Sequence, residues 1–366
     1  MIAKHSNTNS RRCAQRTQHA MYAADKEEQA ALSNTAFRAI EKQFHPHLPA
    51  SSHNTLPRLA SHPSCTNTSP AKCLHRIHRR RQKPTPQPLP HHLLIDPRNP
   101  TPPFATCHTP PAIVSDAHPG LVLFPGALDS QTQLSLARRC VLQFPNAPCT
   151  TNHTALHGLL HDLWGASQSD PHSAKLLRKL RWACVGPAYD WTSRLYLHGD
   201  PHLPLPADLV DLALQHAAAA TAAVGCQAPV EPFKPDAALV NYYRPGDTLG
   251  GHQDDVEVDQ SQPIVSISLG CSAVFLIGGE TRDVAPHALL LRSGDVVVLT
   301  GAARRCFHGV PRVLEGGFDC ASFEGDRCVL RGWWRVCVPY HGTTIYRALV
   351  DYLQQARINI SIRATT

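Results

Sequence analysis

The chain has 366 residues, a formal charge of +7 and 42% hydrophobic residues, enough to bury one good core with a small second unit or long tails beside it. That charge is too modest to select a polyanionic partner on its own, and no apolar run reaches the roughly 18 residues of a membrane-spanning helix. Thirteen scattered cysteines with no C-x-x-C pair argue against a disulfide framework or zinc ribbon and for a reducing compartment.

In chain order, the N-terminus lacks the uninterrupted apolar stretch of a secretory signal. Arg11, Arg12 and Arg16 fit a mitochondrial transit peptide, a pattern that Lys26, Glu27 and Glu28 interrupt. Residues 1–117 are expected to be mostly disordered, because 45–119 are crowded with Pro, His, Ser and Thr and bury too little apolar area to offset ordering entropy. Within them, the basic run His75–Lys83 reads as a solvated patch, a nuclear-localisation signal or a phosphate-binding arm. The island 35–44 has helical apolar spacing and is a possible docking helix.

Regular periodicity begins near Gly120. Leu121–Phe124 reads as a strand, and Asp129 caps a helix through Leu142. Residues 207–224 form a second amphipathic helix. Short β-branched runs follow at 238–243, 264–268, 273–277 and 296–299. Such strands after helices predict an α+β fold, a β-sandwich or jelly roll braced by helices.

His252-Gln253-Asp254 follows a Gly250-Gly251 turn. In an extended segment residues i and i+2 share a face, so His252 and Asp254 can bind one ligand. With His308 they supply the two imidazoles and one carboxylate of a facial triad, the ligand set of non-haem Fe(II) oxygenases. Among 23 histidines an H-x-D pair arises readily by chance, and a surface or capping role is its default reading. A zinc hydrolase also uses these ligand types.

Residues 357–363 discriminate between these readings. Ile358, Ile360 and Ile362 alternate with Arg357, Asn359, Ser361 and Arg363. A solvent-facing strand shows this pattern too. Two arginines flanking an asparagine also suit a dicarboxylate, through bidentate guanidinium pairs and a neutral amide donor. 2-Oxoglutarate is such a molecule. Asn241 and Tyr243 alternate onto one face just upstream and can close the same pocket. A zinc hydrolase needs no such second constellation, so the balance moves to a dioxygenase.

Together, Asn241-Tyr242-Tyr243, Leu249-x-x-His252-Gln253-Asp254, Pro263–Gly270, Ser293–Val298, Arg304, His308-Gly309 and Arg357-x-Asn359-x-Ser361-x-Arg363 closely resemble the AlkB family of nucleic-acid oxidative dealkylases. Leu180-Arg181-Trp182, Tyr189–Thr192 and the island 35–44 look most like its homologue 1 subgroup. The resemblance runs from about residue 117 to the end. It implies a double-stranded β-helix (jelly roll) core over 118–366, with a nucleotide-recognition lid at about 180–192. It also implies iron on His252, Asp254 and His308, and 2-oxoglutarate on Asn241, Tyr243, Arg357, Asn359 and Arg363, with Arg357 at the distal carboxylate. Trp182 and Tyr189 become substrate-stacking candidates, beside the alternative of ordinary core packing. The bacterial enzyme reads its base with an acidic residue where this chain has Val256, so base preference does not transfer. Asp255 and Glu257 either compensate or are solvated turn residues.

The resemblance therefore implies an Fe(II)-, 2-oxoglutarate- and O2-dependent demethylase or hydroxylase of methylated bases in tRNA or in single-stranded or flipped DNA. The chain is expected to be a monomer, off the membrane, in nucleus or cytoplasm or in the mitochondrion. Arg181, Arg304 and Arg305 are expected to hold phosphates with the basic tail. Three rivals stand: an oxygenase acting on protein or lipid, a non-catalytic nucleic-acid-binding module, and an iron-independent lyase of abasic DNA.

Overall fold

The computed structural model describes residues 35–46, 88–225, 231–315 and 342–366. Expectations for the Arg-rich start, for the basic run 75–83 and for disorder over 1–34 and 47–87 lie outside the described residues.

Among those residues, two sheets pack against each other. Strands β1 (Leu94–Ile95), β12 (His287–Leu291), β11 (Ala273–Ile277), β14 (His308–Val313) and β9 (Leu249–His252) form the smaller sheet in that order. The larger runs β2 (Phe104–His108), β3 (Pro111–Ser115), β4 (Leu121–Phe124), β13 (Val296–Leu299), β10 (Ile264–Gly270), β15 (Arg357–Arg363), β8 (Ala237–Tyr243) and β5 (Trp182–Val185). A small hairpin pairs β6 (Ala188–Asp190) with β7 (Leu195–Leu197).

Alternation along the strands sorts the side chains into layers. Leu121, Leu123, Val297 and Leu299 of the larger sheet meet Phe275, Ile277, Leu289 and Val310 of the smaller one. The opposite set, Val122, Val265, Ile267, Ile358, Ile360 and Ile362, packs under helices. These are α2 (Ser130–Leu142), α6 (Ala207–Val224) and α7 (Gly342–Gln355), while the short helices α3 (Thr154–His157), α4 (Leu163–Ser167) and α5 (Pro171–Arg178) lead into β5. The Asp129 carboxylate accepts from the Thr132 amide at 2.7 Å, capping α2 as its sequence predicts. Arg139 and Asp208 then tie α2 to α6.

The expected domain boundary near 118 requires correction, because 88–117 contribute strands rather than tail. β3 pairs with β4, β1 pairs with β12, and Phe104 and Ile113 are buried. Two ion pairs hold this segment down: Arg98 grips buried Asp295 at 2.9 Å and Asp96 meets Arg292 at 2.6 Å. Its prolines signalled disorder, yet Pro111 stands at the first position of β3, where a missing N–H is tolerated.

The island 35–44 is helical as predicted: α1 (Ala36–Phe44) lies on the outer face of the smaller sheet. Nine residues are too few for a stable isolated helix. Phe37 and Phe44, both fully buried against Val274, Leu276 and Ala288, stabilise it by about 1.5–3 kcal/mol each.

Candidate active site

One register pair gathers the histidines. β9 and β14 run antiparallel with His252 opposite His308, and their rings lie 4.4 Å apart. The strand ends at His252, and Asp254 sits beyond it in irregular backbone that returns its carboxylate between the rings. Oδ1 is 3.7 Å from His252 Nε2, and Oδ2 is 3.6 Å from His308 Nε2. The ligand atoms of all three lie within 4.8 Å of one another, the one such cluster found among the described residues. Each Nδ1 is within reach of a backbone carbonyl, Gly250 at 3.0 Å and Cys306 at 3.1 Å. Donating there fixes the tautomer that leaves both Nε2 lone pairs facing Asp254, the usual outer support of a metal-binding histidine.

The electrostatics favour a cation between them. Burial alone would raise the Asp254 pKa, but Arg363, His308, His252 and Arg304 outweigh it and hold the carboxyl well below its usual range. Burial, with His252 alongside, pushes His308 down to about 4. The site thus presents a carboxylate and a neutral imidazole, the protonation states that a metal requires.

Beneath Asp254 lies a feature read differently from sequence. Glu257 is buried, not a solvated turn residue. It binds Arg304 at 2.6 Å and Arg363 at 2.8 Å. Arg304, expected at a phosphate surface, is 1% exposed and donates to the Asp254 carbonyl as well. Arg305 and Arg181 are spent on Glu280 and Asp247. The alternation of this segment is broken, so no periodicity could have marked Glu257 as buried. Asp255 is exposed and pairs with Arg194.

β15 lies between β10 and β8, with Arg357 opposite Tyr243 and Asn359 opposite Asn241. Its polar face is buried against a cavity of about 370 Å³, which is also lined by His252, Asp254, His308, Asn241 and Tyr243. Arg357 is 2% exposed and donates one Nη2 bond to Ser268 at 2.9 Å. Its Nε and Nη1, and Nε of Arg363, have no partner among the described residues. A buried guanidinium with free donors is costly unless an anion meets it. The arrangement fits a carboxylate at Arg357 and a metal at the triad. Arg363, expected at the cosubstrate, already serves Glu257 and stands 3.5 Å from Asp254, so only its Nε is free. Asn359 is partly engaged, donating to Ser266 at 2.8 Å.

The hairpin β6–β7 borders the same cavity through Tyr189, Trp191, Arg194 and Tyr196. Trp182 does not line the cavity; it packs against Trp191, with ring centroids 5.6 Å apart. Trp191 was read only as part of the lid segment and Tyr196 was missed, although a Tyr-x-Trp followed by a third aromatic five residues on was visible.

The family model described as "2OG-Fe(II) oxygenase superfamily" matches residues 120–363. "DNA N(6)-methyladenine demethylase ALKBH1A" of Arabidopsis thaliana is 36% identical over 69% of this chain and 77% of its own length. "Nucleic acid dioxygenase ALKBH1" of Homo sapiens is 33% identical over 67% of this chain, although the match spans only 64% of that protein. "tRNA demethylase abh1" of Schizosaccharomyces pombe is 31% identical over 59% of this chain and 75% of its own length. With these matches beside the triad and the arginine strand, the chain belongs to the 2OG-Fe(II) oxygenase superfamily, in its AlkB branch, whose oxidations use Fe(II), 2-oxoglutarate and O2.

Proposed function

We propose that this chain oxidatively demethylates or hydroxylates methylated bases in nucleic acid, tRNA or DNA. The observation that carries the reading is the convergence, on one cavity, of His252, Asp254 and His308 with the unpartnered donors of Arg357. The names of the three relatives, which act on DNA N6-methyladenine, on tRNA and on nucleic acid in general, support the substrate class.

In this reading His252, Asp254 and His308 hold Fe(II), and Arg357, Tyr243, Asn241 and Asn359 hold 2-oxoglutarate. Bound there, iron and cosubstrate supply the oxidation of a substrate methyl group, coupled to release of succinate and CO2. The remaining work is the protein's. Gly250 and Cys306 carbonyls keep the imidazoles in their ligating tautomer. Arg363 and Glu257 orient the Asp254 carboxylate. Tyr189, Trp191 and Tyr196 offer flat surfaces to a base that has left its stack. A hydroxylated N-methyl group falls apart to formaldehyde and the free base, whereas an oxidised C-methyl group persists.

We also read the two sheets as a double-stranded β-helix. The order β13-β10-β15-β8 against β12-β11-β14-β9 supports it, since eight consecutive strands divide four and four between the sheets, as a jelly roll requires.

Succinate release measured with methylated tRNA, methylated single-stranded DNA and a histone peptide tests the function. Turnover on a nucleic acid, lost in Asp254→Ala, is expected. Peptide-only turnover, or full activity of Asp254→Ala on the best substrate, overturns it.

A further inference from the structure

β9 carries His252 on four residues at the edge of the smaller sheet, with β14 its one strand partner among the described residues. A short edge strand is a weak mount for a ligand that must hold its position to a fraction of an ångström. The residue before the ligand, Gly251, is braced from outside the sheet. Its N–H donates to Glu41 Oε1 at 3.2 Å, and its carbonyl accepts from Arg282 Nη2 at 2.5 Å. The Phe37 ring lies so close that a Cβ on Gly251 would stand 2.4 Å from it, and one on Gly278 2.9 Å. The Phe37 amide in turn donates to the Arg282 carbonyl at 2.9 Å. Helix and strand are thus locked through contacts that only glycine at 251 permits.

We infer that α1 is a positioning element of the metal site: Phe37 and Glu41 fix the backbone of Gly251 and, through it, the imidazole of His252. The inference rests on the reading of His252 as a metal ligand. Phe37 acts by shape, filling the space that two glycines leave. Glu41 acts by hydrogen bonding, satisfying an edge N–H that a neighbouring strand would otherwise take. It is held for that task by Arg38 of the same helix, 2.5 Å away. The helix is joined to the rest of the fold through residues 47–87, so its hold on β9 is made by contacts and not by chain continuity.

The test uses the full chain and Co(II) alone, kept anaerobic, with affinity read by titration and ligand geometry by the visible spectrum. Hydrogen exchange of the peptide spanning 249–254 gives a readout that needs no metal. Phe37→Ala and Glu41→Leu are expected to weaken Co(II) binding at least tenfold, alter its spectrum and speed exchange at 249–254. Glu41→Gln keeps an oxygen acceptor and should remain within twofold of wild type. Phe44→Leu, at the far end of the helix, controls for loosened packing and should leave the spectrum unchanged. Wild-type affinity, spectrum and exchange in both Phe37→Ala and Glu41→Leu, with binding lost in His252→Ala, overturn the inference and leave the site reading intact. Equal binding by wild type and His252→Ala overturns the site reading, and this inference with it.

Discussion

The hydroxyl of Tyr196, on the hairpin bordering the cavity, donates to Glu257 Oε1 at 3.0 Å. The same carboxylate neutralises Arg304 and Arg363, so one buried group joins hairpin, metal-ligand loop and β15. Removing one partner of a buried ionic cluster strands the others without water. Glu257→Gln is therefore expected to cost about 3–5 kcal/mol, read as a drop in melting temperature. Tyr196→Phe loses a single bond to a charged group, about 1.5–3 kcal/mol at most. If Glu257→Gln melts at the wild-type temperature, the cluster does not bear on stability.

Arg357 separates cosubstrate from metal. Arg357→Met removes the buried cation but not the triad, so the KM for 2-oxoglutarate should rise about 10- to 100-fold, the worth of charge-assisted hydrogen bonds of 1.5–3 kcal/mol. Co(II) affinity should stay unchanged. Succinate release across a 2-oxoglutarate titration measures the first, and a metal titration the second.

The hairpin aromatics divide by position. Trp191 and Tyr189 line the cavity, whereas Trp182 packs against Trp191. Alanine at 191 or 189 should raise the KM for a methylated oligonucleotide about 5- to 100-fold, as loss of a stacking partner does. Turnover of 2-oxoglutarate without substrate should persist. Trp182→Ala should act chiefly on melting temperature, and an equal KM rise there would place it at the substrate.

His118 predicts a pH dependence of stability. It is 3% exposed, and its Nε2 lies 2.8 Å from His287 Nδ1. Burial, then the neighbouring His287, lowers its pKa to about 4. Unfolded, the imidazole titrates near 6.5. Between these values the unfolded chain binds the proton and the folded one does not. The neutral histidine's contribution is thus complete above about pH 6.5 and is lost as pH falls towards 4, about 3 kcal/mol or slightly more in all. Melting temperatures from pH 7.5 to 4 should show this slope, and His118→Gln should flatten it.

Where a pattern repeats along one stretch of chain, the fold was legible in advance. The Ile358, Ile360, Ile362 alternation gave β15, and the Asp129 cap gave the start of α2. The polar face of β15 was legible because Arg357, Asn359, Ser361 and Arg363 alternate with isoleucines, and the structure turns that face to the cavity. Residues 88–117 were misread because proline content was taken as disorder, although Ala112-Ile113-Val114 is a short apolar run of strand length. Glu257 and Arg304 were out of reach for another reason. Their burial arises from three segments distant in sequence meeting behind Asp254, and no local spacing encodes it. Trp182 was placed by resemblance; it shares the sheet face of Asn241 but packs against Trp191 and does not line the cavity.

The position of β15 has a consequence for how the chain comes to be made. It follows every other strand in the chain, yet it occupies the middle of the larger sheet, between β10 and β8. Until residue 357 has left the ribosome, β10 and β8 are open, largely apolar edges of two unjoined half-sheets and prone to wrong pairing. Closing them is a long-range step, slow by the topology of its contacts. The same strand brings Arg357 and Arg363, so the catalytic pocket is finished by the segment that completes the sheet, and a nascent chain stopped before it can hold neither.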